Sequence, residues 1–187
     1  MCVQALSGAG LDRGPRIRAV QARADAFVSA ESRTQNFGRT RGLKVDSSPT
    51  LQTYIAFDVD LKSGDVQRVS LMLYSRKGSR VGYEVRLVRE RFREREITFA
   101  NAPGLSGDIV MSGPLRARAW KTVDLTSLVS GQGKYVGVVL TSLSPRGITF
   151  ASRETGLHGP RLIVEREPKG TTTTGTTQTS TQEVRVP

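Results

Sequence analysis

Residues 81–103 read VGYEVRLVRERFREREITFANAP. The first part alternates, with Val81, Tyr83, Val85 and Leu87 on one face and Glu84 and Arg86 on the other, the period-two pattern of a half-buried strand. From Arg89 to Glu96 charge follows charge, interrupted only by Phe92. On a strand or its terminal loop, such a run reads as a self-compensating solvated edge, with a charged subunit contact as the alternative. The stretch closes on ITFANAP, whose proline cannot donate to a ladder.

The same signature recurs on both sides. Upstream, ADAFVSA sets Ala24, Ala26 and Val28 against Asp25 and Phe27, and ESRTQNFGRTRG is a polar loop with a turn signal at Asn36–Gly38. GLKVD turns Leu43 and Val45 inward before Asp46–Pro49 breaks it, TYIAFDV shows Ile55, Phe57 and Val59, and VQRVSLMLYS shows Val69, Leu71 and Leu73. Downstream come IVMS, then RAWKTVDL with Trp120 and Val123 as expected core anchors. DLTSLVSG reads as one helical turn capped by Asp124 or Thr126. KYVGVVLTS, GITFASRE and PRLIVER complete the strands. About nine or ten short strands with almost no helical periodicity predict an all-β antiparallel sandwich, jelly-roll-like in topology. A parallel sheet would need crossover helices, and the chain has no room for them.

Flanking segments differ in composition. Residues 1–23 mix Gly and Pro without periodicity and read as an N-terminal arm, with one extended piece at Arg16–Gln21. The sandwich is expected over residues 24–166, and residues 167–187 form a Thr-rich C-terminal arm. Threonine repeats cannot bury enough apolar surface to order themselves, although Val184 and Val186 are spaced to add a strand to a neighbouring sheet.

Bulk properties narrow the function. No apolar run approaches the roughly 20 residues needed to cross a bilayer, so membrane insertion is not expected. The first residues lack the basic and apolar regions of a secretory signal. Cys2 is the only cysteine, which removes an internal disulfide framework and cysteine-based zinc sites from consideration. Lys and Arg number 28 against 17 Asp and Glu, a net charge of +11, and such a surface attracts polyanions. Through Val45 there are eight basic residues against three acidic ones. No nucleic-acid motif accompanies the charge, so no specific nucleic-acid partner is expected.

Six local patterns together resemble the DNRLRE-type domain, which overlaps carbohydrate-binding module family 96. They are ADAFV (Ala24–Val28), NFG (Asn36–Gly38), LKVDSSP (Leu43–Pro49), YIAFDV (Tyr54–Val59), ITFANAP (Ile97–Pro103) and FASRE (Phe150–Glu154). The resemblance runs from about Ala24 to Glu165 and implies a jelly-roll sandwich without catalytic machinery. It places alginate-binding cations at Arg33, Arg39, Arg41 and Lys44. It also puts Phe92 and Phe99 where the family commonly has tryptophan, which keeps a packing role but removes an indole donor.

The candidate ligand site is therefore Arg33, Arg39, Arg41 and Lys44, whose cationic heads suit uronate carboxylates. Tyr54 and Phe37 are its candidate sugar-stacking rings. A structural calcium ion would draw on Asp25, Glu31, Asp46 and Glu154, whose spacing matches no known loop motif; otherwise no cofactor is expected. His158, the lone histidine, sits in a Gly-His-Gly-Pro loop and should be exposed, and no nucleophile, metal-ligand or phosphate-loop motif singles out an enzyme. Two functions remain open. One is a non-catalytic structural subunit of a virion or extracellular surface assembly, its arms reaching neighbouring protein subunits and its sandwich adhering to acidic glycans. The other is a polysaccharide-binding module for alginate-like uronate polymers.

Overall fold

The computed structural model describes residues 14–168, apart from Ser63 and Ser106. The readings of residues 1–13 and of the Thr-rich segment beyond Pro168 fall outside the described residues. Eleven strands form: β1 (Arg16–Gln21), β2 (Ala24–Ser29), β3 (Gly42–Ser47), β4 (Thr50–Asp58), β5 (Val66–Ser75), β6 (Glu84–Val88), β7 (Val110–Met111), β8 (Ala119–Asp124), β9 (Tyr135–Thr141), β10 (Ile148–Ala151) and β11 (Arg161–Arg166). A helical turn α1 (Thr126–Val129) follows β8, and a 3-10 segment (Arg153–His158) joins β10 to β11. Every strand pairing is antiparallel, as short connections allow.

The strands make the two layers of a β-sandwich. One layer holds β1, β11, β5 and β8 with β10 beside the end of β5; the other holds β2, β4, β9, β6 and β7. Strand β3 belongs to both, pairing β10 through Gly42–Val45 and β4 through Asp46 and Ser47. Between the layers lie Leu43, Val45, Ile55, Phe57, Leu71, Leu73, Val85, Val138, Leu140, Phe150 and Leu162, all buried. These are the inward positions of the period-two pattern, and each such side chain contributes about 1.5–3 kcal/mol by leaving water.

A second apolar cluster lies on the far face of β4 and β9. Ala26, Val28, Tyr54, Val88, Val139 and Ile97 are buried there, with Phe92, Phe99 and Ala102 packed against them. Both faces of β4 are thus buried, because residues 89–103 fold back as a cover over the outer face. The expected solvated edge is therefore a lid. Its backbone makes turns at 94–96 and 99–101 rather than a strand, and its apolar residues point down while most charges point out.

Three expectations change in detail. Arg16–Gln21, expected inside the arm, is a sheet strand paired with β11 from Arg16↔Arg166 to Gln21↔Arg161. Asp65 holds this pair from below, accepting from Arg16 and from Arg166 at 2.6 Å each. Val81, expected inside, is 51% exposed. The cause is Gly82 at φ 79°, which bends the chain just before β6 and resets its alternation. Trp120 is half-buried on the outer face beside Tyr74 (5.4 Å) and His158 (6.0 Å), whereas Val123 is in the core. His158 is exposed, with its ring against Tyr74.

Neither Asp124 nor Thr126 occupies the N-cap of α1, which is Leu125 without a side-chain cap bond; Asp124 instead closes a local turn onto Thr126. The Asp124 carboxylate accepts from the Thr126 hydroxyl at 2.6 Å and from the Thr126 backbone N–H at 2.9 Å. Those two bonds hold its pKa below the ordinary value. A depressed carboxylate stabilises the fold above its unfolded pKa, and the gain disappears as pH falls through the lower folded value. Because Asp124 is exposed, Asp124→Ala should cost only about 0.5–1 kcal/mol at neutral pH, shrinking below about pH 4; urea unfolding at pH 7 and pH 3 checks this.

Candidate ligand-binding groove and carboxylate cluster

A groove of about 1110 Å³ opens between two strand connections at one end of the sandwich. Its floor is the outward row where Lys44 on β3 faces Thr149 on β10. One wall is the β5–β6 connection, which brings Lys77, Arg80 and the exposed Val81; the other is the β9–β10 connection, which brings Pro145 and Arg146. The walls stand where they do for local reasons. Arg76 donates its backbone N–H to the Thr149 carbonyl at 2.8 Å, so the β5–β6 turn leaves the sheet alongside β10. Ser79 and Leu115 then exchange backbone bonds at 3.1 and 2.7 Å, pinning the turn.

Four cations, Lys44, Lys77, Arg80 and Arg146, line this groove against the single carboxylate of Asp46. All four cations are exposed. Like charges gathered along a concave surface focus their field outward and attract an anionic ligand.

Of the cations and rings expected to bind a ligand, the groove contains only Lys44. Lys44 also holds its ammonium 5.3 Å from the centre of the Phe27 ring. Arg33 lies elsewhere, its guanidinium 5.1 Å above Phe99 of the lid. Arg39 and Arg41 are exposed on the loop leading into β3, and the Arg41 carbonyl accepts from the Ser152 N–H.

The stacking rings are corrected. Tyr54 is 1% exposed, edge-on to Phe92 at 5.9 Å, and its hydroxyl donates to the Pro103 carbonyl at 2.8 Å. Burial pushes that hydroxyl up to about 12. It anchors the lid and presents no face to a ligand. Phe37 is stacked on Phe27 at 4.3 Å, so one of its faces is taken by packing.

Lys77, Arg80 and Arg146 were not visible as a site in the sequence. The available signal was a cation beside turn residues, in Arg76-Lys77-Gly78-Ser79-Arg80 and in Ser144-Pro145-Arg146-Gly147. Each is an ordinary surface turn until the sheet order brings the two together.

A second constellation sits where the lid meets β2. Asp25, Glu94 and Glu154 offer oxygens that all lie within 4.8 Å of one another. Asp25 Oδ2 accepts from the Arg153 backbone N–H at 2.8 Å, and Glu94 Oε1 accepts from the Asp25 N–H at 2.9 Å. The Arg153 Nε lies 3.3 Å from Glu94 and 3.4 Å from Glu154. Asp25 Oδ1 and Glu154 Oε2 are buried without a hydrogen-bond partner. Desolvation first, then the Glu154 and Glu94 charges, push the Asp25 carboxyl up to about 8 against the opposing Arg153.

The expected calcium set is corrected here as well. Asp25 and Glu154 do meet, but Asp46 lines the groove and Glu31 is exposed on a loop. Glu94 takes their place. It was hidden in a run of charges that balances itself on paper.

Among the described residues, an antiparallel sandwich thus carries an open, positively charged groove. The sequence profile of carbohydrate-binding module family 96 matches residues 17–166, and the chain belongs to that family. No curated protein matches the chain.

Proposed function

We propose that this module binds an acidic polysaccharide, with uronate carboxylates held by Lys44, Lys77, Arg80 and Arg146 across the groove. The observation that carries this reading is the four-to-one excess of cations over carboxylates in an open groove on a carbohydrate-binding fold. A polymer running through an open groove meets several cations in turn, and modest individual contacts add to useful retention. The module's work is adhesion without catalysis, at an extracellular surface. The virion-subunit reading rests on the terminal segments, outside the described residues, and has no support in the fold or the family match. The polysaccharide reading draws on both.

Electrophoresis through gels containing alginate or pectate tests the proposal. The wild-type protein should be retarded relative to a gel without polymer, less so as salt rises, because the attraction is screened. Arg80→Ala combined with Arg146→Ala should weaken binding about 30-fold or more, two charge-assisted contacts being lost. Arg39→Ala combined with Arg41→Ala should leave it nearly intact. The opposite ranking would move the site to the loop before β3. No retardation at low salt would sink the acidic-glycan assignment.

A further inference from the structure

We infer that Asp25, Glu94 and Glu154 form a binding site for a hard divalent cation of the calcium class, joining β2, the lid and the 3-10 segment. The three carboxylates come from positions far apart in the chain, yet their oxygens converge to within 4.8 Å. Like charges this close repel strongly unless something compensates them. Arg153 compensates in part, touching Glu94 and Glu154 through its Nε while donating from another nitrogen to the Arg23 carbonyl. Fully ionised, the three carboxylates against one guanidinium carry two net negative charges, the amount a divalent cation neutralises once it displaces the proton they share.

A second observation is independent of charge counting. Asp25 is 1% exposed, its Oδ1 has no hydrogen-bond partner, and Glu154 Oε2 is likewise buried and unpartnered. Buried carboxylate oxygens without donors are costly, and both belong to the group of residues that converges. Asp25 Oδ2 and Glu94 Oε1 are already oriented by the Arg153 and Asp25 backbone N–H groups, so two of the three carboxylates are held in place before any ion arrives. Neither histidine nor cysteine belongs to the cluster, which disfavours zinc and softer metals. Calcium tolerates irregular all-oxygen shells of 6–8 ligands, roughly what three carboxylates plus water provide, whereas magnesium demands a near-ideal octahedron. A proton shared among the carboxylates is the competing way to relieve their repulsion, and the experiment separates the two.

The full chain, dialysed against chelator and then into calcium-free buffer at neutral pH, is titrated with calcium chloride in a calorimeter and melted with and without the ion. No glycan is present, so the outcome is independent of the groove's ligand. One calcium per chain and a melting temperature several degrees higher in calcium than in chelator are expected. Magnesium should give a much smaller response. Glu154→Gln should weaken calcium binding at least tenfold while melting like the wild type in chelator. Equilibrium dialysis of the wild type against radioactive calcium supplies the stoichiometry should that variant fail to fold. Absence of heat, bound ion and thermal shift at about 10 mM calcium, well above the weakest extracellular sites, would overturn the inference in favour of the proton. An undiminished response in folded Glu154→Gln would overturn it too, and equal binding of magnesium would overturn the calcium assignment.

Discussion

Replacing Phe150 by alanine should lower the unfolding free energy by about 3–5 kcal/mol, a large share of what a domain of this size has to lose. Phe150 is fully buried on β10, opposite Leu43 of β3 and Ser75 of β5, where three strands of the first layer meet. Its ring meets that of Tyr83 edge-on at 5.0 Å and 75°, a geometry that adds to the area it buries. Backbone ladders on both sides restrict relaxation into the space left behind, so most of the cavity should persist. Phe92→Ala is the informative comparison. Phe92 is half-buried, belongs to the outer cluster and rests on Tyr54, so its loss should cost clearly less. Urea denaturation of both variants reads the difference, and equal losses would mean that the two apolar clusters do not differ in energetic weight.

Asn36→Ala should release the lid. Its side-chain amide donates to the Glu94 carbonyl at 2.8 Å and the Ile97 carbonyl at 2.7 Å, while its oxygen accepts from the Gly38 N–H at 3.1 Å. One side chain thus ties the loop before β3 to the middle of the lid. Gly38 presses the two segments together, since a Cβ there would stand 2.0 Å from the Glu94 carbonyl oxygen. Removing the amide leaves part-buried carbonyls without donors, at about 2–4 kcal/mol in total. The loss should be local. Hydrogen exchange should rise across residues 89–103 while the ladders of β5, β9 and β11 keep their protection. A uniform rise over all strands would show instead that the lid and the sandwich unfold as one unit. Asn36→Asp, which keeps the acceptor and loses both amide donors, should resemble the alanine variant.

Strand identity was legible because burial between two layers imposes a strict alternation. Ile55 and Phe57, Val69 to Leu73, and Val136 to Leu140 follow it and fall in the core. The lid was not legible, for two reasons. Its buried residues Phe92, Ile97, Phe99 and Ala102 have no common period, since turns rather than a repeating element aim them inward. The charges between them dominate the local composition and suggest solvent on every side. Tyr54 misled for a related reason: an aromatic on the outer face of a sheet looks available only if nothing covers that face.

The groove was hidden differently. Lys44, Lys77, Arg80 and Arg146 come from one strand and two connections that no local pattern links, and only the β3–β10–β5 neighbourhood makes them one surface. Asp25 and Glu154 were visible as isolated acids. Their meeting with Glu94 depends on the lid, and so was no more legible than the lid itself.

The pairing of β1 with β11 sets how this module is hung on anything else. Arg16 and Arg166 lie directly across one ladder, and Asp65 grips both. A chain entering at the first and leaving at the second does so a single strand spacing apart, about 5 Å. The sandwich is nearly a closed loop of polypeptide. Ends this close allow insertion at a single point of a larger polypeptide without separating the two layers.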